Sequence, residues 1–190
     1  MIREATAADI PALQDIEVRA GESFVAAGMA AVAGDEPLTA DVLGEFVLDS
    51  RAWLWESGGR PMGYLIASIL DGNAHIDQVS VLPECRGQRI GRRLIDCAVR
   101  WAADRGLRAI TLTTFTEVAW NGPYYERLGF RYLEPAEETP GLRAVRSEEI
   151  AHGLDRWPRA CMSASVPAWE YVSSGPGARS DAELRAGGDT

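Results

Sequence analysis

The stretch of sequence that decides the fold is residues 79–94, VSVLPECRGQRIGRRL. It begins as an apolar run typical of a strand, passes through a turn that contains glycine, and continues directly into a helical pattern. Such a turn leaves backbone N–H groups unpaired at the positive end of a helix dipole, where anions bind favourably. Arginine occurs four times within residues 86–93. The segment therefore predicts a site for a diphosphate group.

Two common phosphate-binding patterns are absent from this turn. It has neither the G-x-G-x-x-G spacing of dinucleotide-binding folds nor the Gly-Lys-Ser/Thr ending of nucleoside triphosphate loops. The turn alone does not identify a ligand, because glycine-containing strand-to-helix turns are common. A nucleotide-binding regulator that holds ATP at this anion site is one open alternative.

The patterns on either side of the turn predict one α/β (α+β) domain. Three apolar runs joined by turn residues, within residues 52–82, indicate an antiparallel meander. The turn, its helix and the next strand indicate a right-handed βαβ crossover. The predicted strands are residues 2–5, 52–57, 62–70, 74–82, 107–115, 130–133 and 160–166. The predicted helices are residues 9–20, a segment capped by Thr39, and residues 92–105, 122–128 and 142–152, with a loop or broken helix at 21–38.

Composition excludes several classes of protein. The chain has 190 residues and a net charge of −9, which argues against a nucleic-acid partner. No apolar run is long enough to span a membrane and the N-terminus has no signal-peptide core, so we expect a cytoplasmic protein. With three cysteines and two histidines, we expect neither a disulfide framework nor a metal site. The domain is predicted to cover residues 1–172, with a disordered tail at 173–190.

A second motif follows the first after a helix and a strand. Residues 121–130 read NGPYYERLGF. Together with the segment Arg86 to Gly91, this motif resembles the GNAT (GCN5-related N-acetyltransferase) superfamily, whose acetyl-CoA loop reads Arg/Gln-x-x-Gly-x-Gly/Ala. The resemblance covers roughly residues 1–166. In one departure, Arg89 stands where the family usually has the first glycine; it is harmless if its φ angle is negative and strained if φ is positive.

The resemblance implies a mixed, mostly antiparallel sheet of about six to seven strands with helices on both faces. It also implies direct acetyl transfer from acetyl-CoA to a primary amine in a ternary complex, with acetyl-CoA as cosubstrate and no metal. The cofactor-binding positions that it implies are Val79, Val81, Arg86, Gly87, Gln88, Arg89, Ile90, Gly91, Arg92, Asn121 and Tyr124.

Three residues are candidates for catalysis. By resemblance, Tyr125 is the general acid that returns a proton to the departing thiolate. Alternation along the strand predicts that residues 75, 77, 79 and 81 share one face, which puts His75 near the acceptor as a base or relay. Glu117, just after the strand at 107–115, is expected near the cleft, where it binds the acceptor cation or starts a water relay.

Several alternatives stay open at this stage. The chain is either an enzyme or a non-catalytic acyl-CoA-binding module on the same fold. Cys85 adjoins the turn and raises the option of an acyl-cysteine intermediate, although a packing role is favoured. The acceptor is a small molecule or a peptide amine, and a homodimer is possible.

Overall fold

The structure, a computed structural model, describes residues 1–171. Its strands are β1 (Ile2–Glu4), β2 (Ala52–Ser57), β3 (Arg60–Leu70), β4 (Asn73–Val81), β5 (Ala109–Phe115), β6 (Arg131–Tyr132) and β7 (Arg159–Ser165). Its helices are α1 (Ile10–Gly21), α2 (Ala30–Ala33), α3 (Ala40–Leu48), α4 (Ile90–Asp104), α5 (Gly122–Arg127) and α6 (Pro140–Ala151). The predicted tail at 173–190 lies outside the described residues.

The seven strands form one sheet in the order β1-β2-β3-β4-β5-β7-β6. Every neighbouring pair is antiparallel except β4 and β5, which the α4 crossover makes parallel. Helices cover both faces. Tyr64 meets Glu17 of α1, whereas the neighbouring Gly63 lies against Ile90 of α4. The predicted mixed, mostly antiparallel sheet is confirmed.

The parallel pair separates soon after it forms. β4 and β5 are paired only at Ala74 with Ile110 and at His75 with Thr111. Beyond these residues β4 continues to Val81 and β5 continues to Phe115 without pairing to each other. The two strands therefore splay apart, and the gap between them exposes backbone groups that lack a strand partner.

A bulge in β4 changes which residues share a face. Ile66 pairs with Gln78 but Ala67 pairs with Ile76, so Asp77 is the extra residue on β4. His75 pairs with Ser68, whereas Val79 pairs with Leu65, three residues earlier on β3. Residues an odd number apart point to opposite faces. The prediction that His75, Val79 and Val81 share one face is therefore wrong.

The helix after the turn supplies most of the contacts on one face. Seven apolar side chains of α4 are buried at helical spacing, namely Ile90, Leu94, Ile95, Ala98, Val99, Trp101 and Ala102. Burying such side chains stabilises the fold by roughly 1.5 to 3 kcal/mol for each large residue. This packing fixes the start of α4 at the mouth of the splay.

Every helix within residues 1–171 falls short of the length and apolarity that a membrane crossing requires.

Candidate active site

The turn between β4 and α4 presents a set of backbone N–H donors. Gly87 adopts a φ of +80° and Arg89 a φ of +57°. Arg89 is the N-cap residue, and no side chain caps the helix there. The first N–H groups of α4, on Ile90, Gly91 and Arg92, have no partner within the helix by geometry. Together with the helix dipole they make an arrangement that favours an anion.

The positive φ of Arg89 places strain in this turn. A left-handed conformation costs a non-glycine residue about 1 to 2 kcal/mol, whereas a glycine gives back about 0.5 to 1 kcal/mol in unfolded-chain entropy. We therefore expect Arg89→Gly to raise the free energy of unfolding by up to about 1 kcal/mol, measured by urea denaturation. The matched control is Arg86→Gly, because Arg86 has an ordinary φ of −58°. The control is expected to lose stability, and a loss in both variants would contradict strain at Arg89.

The four arginines of the turn do not all face the anion site. Arg92 donates to Asp96 Oδ1 at 3.1 Å, and its guanidinium lies 4.6 Å above the Trp169 ring. Arg93 lies over the Trp55 ring at 5.5 Å. Both side chains are therefore engaged by the body of the domain, and the positive charge available to a ligand comes from Arg86 and Arg89.

Arg86 links two segments that flank the splay. Its guanidinium donates to the hydroxyl of Ser23, in the segment after α1, and lies 5.4 Å from the Trp120 ring centre, after β5. Trp120 also contacts Phe24 at 6.0 Å. The side chain is exposed, so it has room to turn towards a ligand at the start of α4.

Helix α5 begins against the end of β5. The hydroxyl of Thr114 donates to Asn121 Oδ1 at 3.2 Å, so the Asn121 side chain anchors the helix to the strand. At Gly122 an added Cβ atom would overlap the Tyr132 hydroxyl and lie 3.1 Å from the carbonyl oxygen of Phe115. Only a glycine allows this close approach.

This contact predicts a stability effect. Gly122→Ala is expected to lower the free energy of unfolding by about 1 to 3 kcal/mol, because the new methyl group must displace the Phe115 backbone or Tyr132. Gly44→Ala is the matched control, since Gly44 lies within α3 with open space around it. That substitution should raise stability by roughly 1 kcal/mol through helix propensity. Equal effects of the two alanines in urea denaturation would refute the steric explanation.

Tyr125 lies on α5 among aromatic rings. Its ring contacts Tyr124 at 5.5 Å and Phe130 at 5.8 Å, and the residue is 9% exposed. Burial raises the pKa of its phenol above the usual value, so the group is protonated at neutral pH. Among residues 1–171 its hydroxyl has no hydrogen-bond partner, which leaves the proton available to a ligand.

The neighbouring Tyr124 reaches the start of α4. Its hydroxyl lies 3.1 Å from the position that a Cβ atom would take at Gly91. Burial raises the pKa of Tyr124 to about 12. The hydroxyl is therefore a neutral donor next to the unpaired N–H groups of the helix.

His75 is buried at the point where β4 and β5 separate. The hydroxyl of Thr111 donates to the carbonyl oxygen of Ala74 at 3.1 Å and accepts from His75 Nδ1 at 2.9 Å. Burial lowers the pKa of His75 to about 4, and the nearby Glu149 carboxylate opposes this shift only in part. The imidazole is therefore neutral, with its Nδ1 proton used to join the two strands.

Asp77 is the extra residue of the bulge in β4. Its carboxylate is exposed and accepts a hydrogen bond from the Ser68 hydroxyl at 3.1 Å. Desolvation by the protein around it raises the pKa of Asp77 to about 6, although the Ser68 hydrogen bond and the Arg51 charge oppose this shift. A carboxylate with this pKa changes protonation close to neutral pH, as a general base requires. The sequence placed Asp77 on this strand but gave no sign of the bulge.

The remaining candidate residues from the sequence differ in how exposed they are. Glu117 is exposed in the turn after β5 and makes no hydrogen bond or ion pair with another described residue. Gln88 is likewise exposed on the turn, whereas Val79 and Val81 are half-buried along the open part of β4. Cys85 is 1% exposed, and burial raises the pKa of its thiol, which argues against an acyl-cysteine.

A half-buried ionic cluster joins α6 to β5 and β7. Glu149 of α6 accepts from Arg159 Nη2 at 2.6 Å and also from Arg146 and Thr113. The Arg159 guanidinium lies 4.2 Å from the Phe115 ring. No sequence pattern pointed to Glu149, because α6, β5 and β7 meet only in the folded chain.

A family model and a solved structure agree with this fold. A model of the Acetyltransferase (GNAT) family matches residues 18–130, more than half of the chain. The chain is similar to the PaiA N-acetyltransferase of Thermoplasma acidophilum, solved in complex with coenzyme A, with a TM-score of 0.66 and 13% identity. That alignment covers 87% of this chain and 98% of the other. At this identity, the likeness shows the fold.

Matches to curated proteins are shorter. An isoprenyl transferase of Rhizobium meliloti is 39% identical over 61 residues, 32% of this chain and 25% of that enzyme. The uncharacterized N-acetyltransferase MJ1207 of Methanocaldococcus jannaschii is 34% identical over 86 residues, 42% of this chain and 38% of that protein. The chain thus covers well under two thirds of these relatives. A match to a quarter of an enzyme does not transfer its reaction.

Proposed function

Because the chain belongs to the acetyltransferase (GNAT) family, we propose that it is an N-acetyltransferase, which moves an acetyl group from acetyl-CoA directly to an amine. The observation that carries this proposal is the splay between β4 and β5, which opens next to the uncapped start of α4. Acetyl-CoA needs both features side by side, because its extended thioester arm requires a gap between strands and its diphosphate requires an anion site.

The cofactor is proposed to bind along this opening. The diphosphate takes the N–H groups of the turn and the first turn of α4, from Gly87 through Gly91, and Arg86 and Arg89 add positive charge. The pantetheine arm lies in the gap and bonds to the backbone of Val79 and Val81, as an added strand does. Arg92 contributes its backbone N–H rather than its side chain.

The Tyr124 hydroxyl is proposed to donate to the cofactor beside Gly91. Asn121 acts on the cofactor indirectly, since its side chain fixes the position of α5 against Thr114.

Transfer requires a neutral amine and a proton for the leaving group. An amine with a pKa of about 10.4 costs roughly 4.6 kcal/mol to deprotonate at pH 7. In the proposed step the amine nitrogen attacks the thioester carbonyl, its C–N bond forms, and the C–S bond breaks. The amine proton passes to the base, and Tyr125 protonates the thiolate to give CoA.

Asp77 is the base that the geometry favours. It is exposed on β4, two residues beyond the last residue that pairs with β5, and its pKa is near 6, whereas His75 is buried and its pKa is near 4. We therefore propose that His75 holds β4 and β5 together, a positioning role. Glu117, exposed in the turn after β5, is proposed to attract the cationic acceptor rather than to take its proton.

The acceptor is proposed to be a small-molecule or peptide amine, and a panel of amines tests the activity. The chain is mixed with acetyl-CoA and each amine, and released CoA is measured with a thiol reagent. Acetylation of at least one amine above the uncatalysed rate is expected. Binding of CoA without release for any amine would instead identify an acyl-CoA-binding module. Stabilisation by ATP equal to that by CoA, in a thermal-shift comparison, would favour a nucleotide-binding regulator.

A further inference from the structure

A long connection between α1 and α3, residues 22–38, runs across the open end of the splay. It includes the short helix α2, and seven of its residues are small, five alanines and two glycines. Connections of this length between packed elements are typical of binding loops and lids. Residues 22–38 are called the covering segment below.

The covering segment contacts the chain at the ends of both strands that separate. The Ser23 hydroxyl accepts from Arg86, in the turn after β4. Phe24 packs against Phe115, the last residue of β5, with ring centres 5.6 Å apart. Met29 is 2% exposed and belongs to the same apolar cluster as Phe115. The segment therefore bridges the gap between β4 and β5 where it is widest.

The covering segment lies on the face of the sheet that carries Asp77. Thr111 and Phe115 are four residues apart on β5, so their side chains share a face. The Thr111 hydroxyl accepts from His75 Nδ1, which puts His75 on that face as well. His75 pairs with Ser68 of β3, and the Ser68 hydroxyl donates to Asp77. An amine that reaches Asp77 from this face therefore meets the covering segment.

Two side chains of α1 hold the far end of the covering segment. Gln14 Nε2 donates to the carbonyl oxygen of Leu38 at 2.9 Å, and the Leu38 N–H donates to Glu17 Oε2 at 3.3 Å. Gln14 and Glu17 are three residues apart, so they lie on one face of the helix. Both backbone groups of Leu38 are therefore bonded to α1, where no strand or helix supplies a partner.

The core fixes the position of the Glu17 carboxylate. The hydroxyl of Tyr64, which is fully buried on β3, donates to Glu17 Oε2 at 2.7 Å. Burial raises the pKa of Glu17, although the hydrogen bonds from Tyr64 and Leu38 oppose this shift. One carboxylate oxygen thus ties the covering segment to the sheet. Because alanine and glycine give the rest of the segment little apolar area to bury, its path depends on such contacts.

We infer that Glu17, together with Gln14, is a positioning residue for the acceptor amine. The two side chains act through the covering segment and not by contact with the reacting atoms. They hold Leu38 to α1 and so set how closely the segment approaches Asp77. The inference rests on the proposed function, because the segment affects an amine only if one reacts at Asp77. Release of Leu38 should weaken binding of the amine and leave binding of acetyl-CoA at the turn unchanged.

Steady-state kinetics with the best acceptor of the amine panel test the inference. Glu17→Ala is expected to raise the KM for the amine at least about tenfold, while kcat and the KM for acetyl-CoA stay within about twofold. Gln14→Ala keeps the bond between Tyr64 and Glu17 and should raise the KM for the amine about threefold. Glu17→Gln retains an oxygen that accepts hydrogen bonds and should stay within about twofold of the wild type. Asp15→Ala is the matched control on α1, since Asp15 pairs only with Arg19 among residues 1–171, and it should change none of these constants.

Amide hydrogen exchange gives a readout that does not need activity. In Glu17→Ala, the amides of residues 22–38 should exchange at least about tenfold faster, whereas those of α4 keep the wild-type rate. Loss of Glu17 leaves the buried Tyr64 hydroxyl without its partner, so α4 could also exchange faster through a general loss of stability. In that case Gln14→Ala, which leaves Tyr64 paired, decides.

The possible failures are distinguishable. Unchanged exchange of residues 22–38 in both alanine variants would overturn the hold of α1 on Leu38. Faster exchange with an unchanged KM for the amine would overturn the positioning role and leave the N-acetyltransferase function intact. An equal loss in Glu17→Gln and Glu17→Ala would mean that the charge is needed, which also overturns the inference. If no amine is acetylated although the exchange results are as expected, the proposed function is wrong and the positioning role falls with it.

Discussion

Tyr125→Phe is expected to lower kcat by on the order of 10²-fold while the KM for acetyl-CoA changes by no more than about twofold. The substitution removes one hydroxyl and keeps the aromatic contacts with Tyr124 and Phe130. The hydroxyl donates to no described residue, so its loss breaks no hydrogen bond within residues 1–171. A fall in kcat therefore reports the missing proton donor. Steady-state CoA release with the best acceptor of the amine panel measures both constants.

Tyr132→Phe is the matched control, because it also removes a phenol that packs against α5, at Gly122, but has no proposed role in the reaction. Its kcat should stay within about twofold of the wild type. An unchanged kcat in Tyr125→Phe would show that solvent protonates the thiolate. A similar loss in both variants would point to displacement of α5 rather than to acid catalysis.

The fold followed from short-range patterns. The strand, turn and helix at residues 79–94 lie next to one another in sequence, so periodicity and glycine placement were enough to predict β4, the anion site and α4. The motif at residues 121–130 predicted α5 for the same reason, since the helix and the turn after it are formed by residues close together in sequence.

The errors came from long-range contacts. The bulge at Asp77 arises from the register between β3 and β4, and it turned His75 away from the face of Val79. Arg92 was expected at the ligand, but the chain after β7 returns to α4 and brings Trp169 onto it. Strand register and the path of the chain after β7 depend on the packing of the whole core, so no local sequence pattern predicts them.

Asp77→Asn is expected to lower kcat/KM at pH 8 by on the order of 10²-fold, since an amide cannot take the amine proton. In the wild type, kcat/KM should rise with pH through about 6, where Asp77 ionises. The variant should lose this limb of the profile. Asp104→Asn, an exposed carboxylate at the far end of α4, is the control and should keep it. A limb that persists in Asp77→Asn would mean that another group is the base.

At pH 8, Asp77→Asn should raise the stability of the fold while it lowers activity. The pKa of Asp77 is about 6 in the folded chain, above the ordinary value of 3.8 for an aspartate, so folding favours the protonated acid. Its contribution to stability is therefore fully present below about pH 4, declines as the pH rises to 6, and stays low above that. Asparagine cannot ionise, so Asp77→Asn should unfold at a higher temperature than the wild type at pH 8, and this advantage should vanish near pH 4. A carboxylate that is kept charged for catalysis in a desolvating site destabilises the fold. If Asp77→Asn were instead both less active and less stable than the wild type at pH 8, Asp77 would have a structural role.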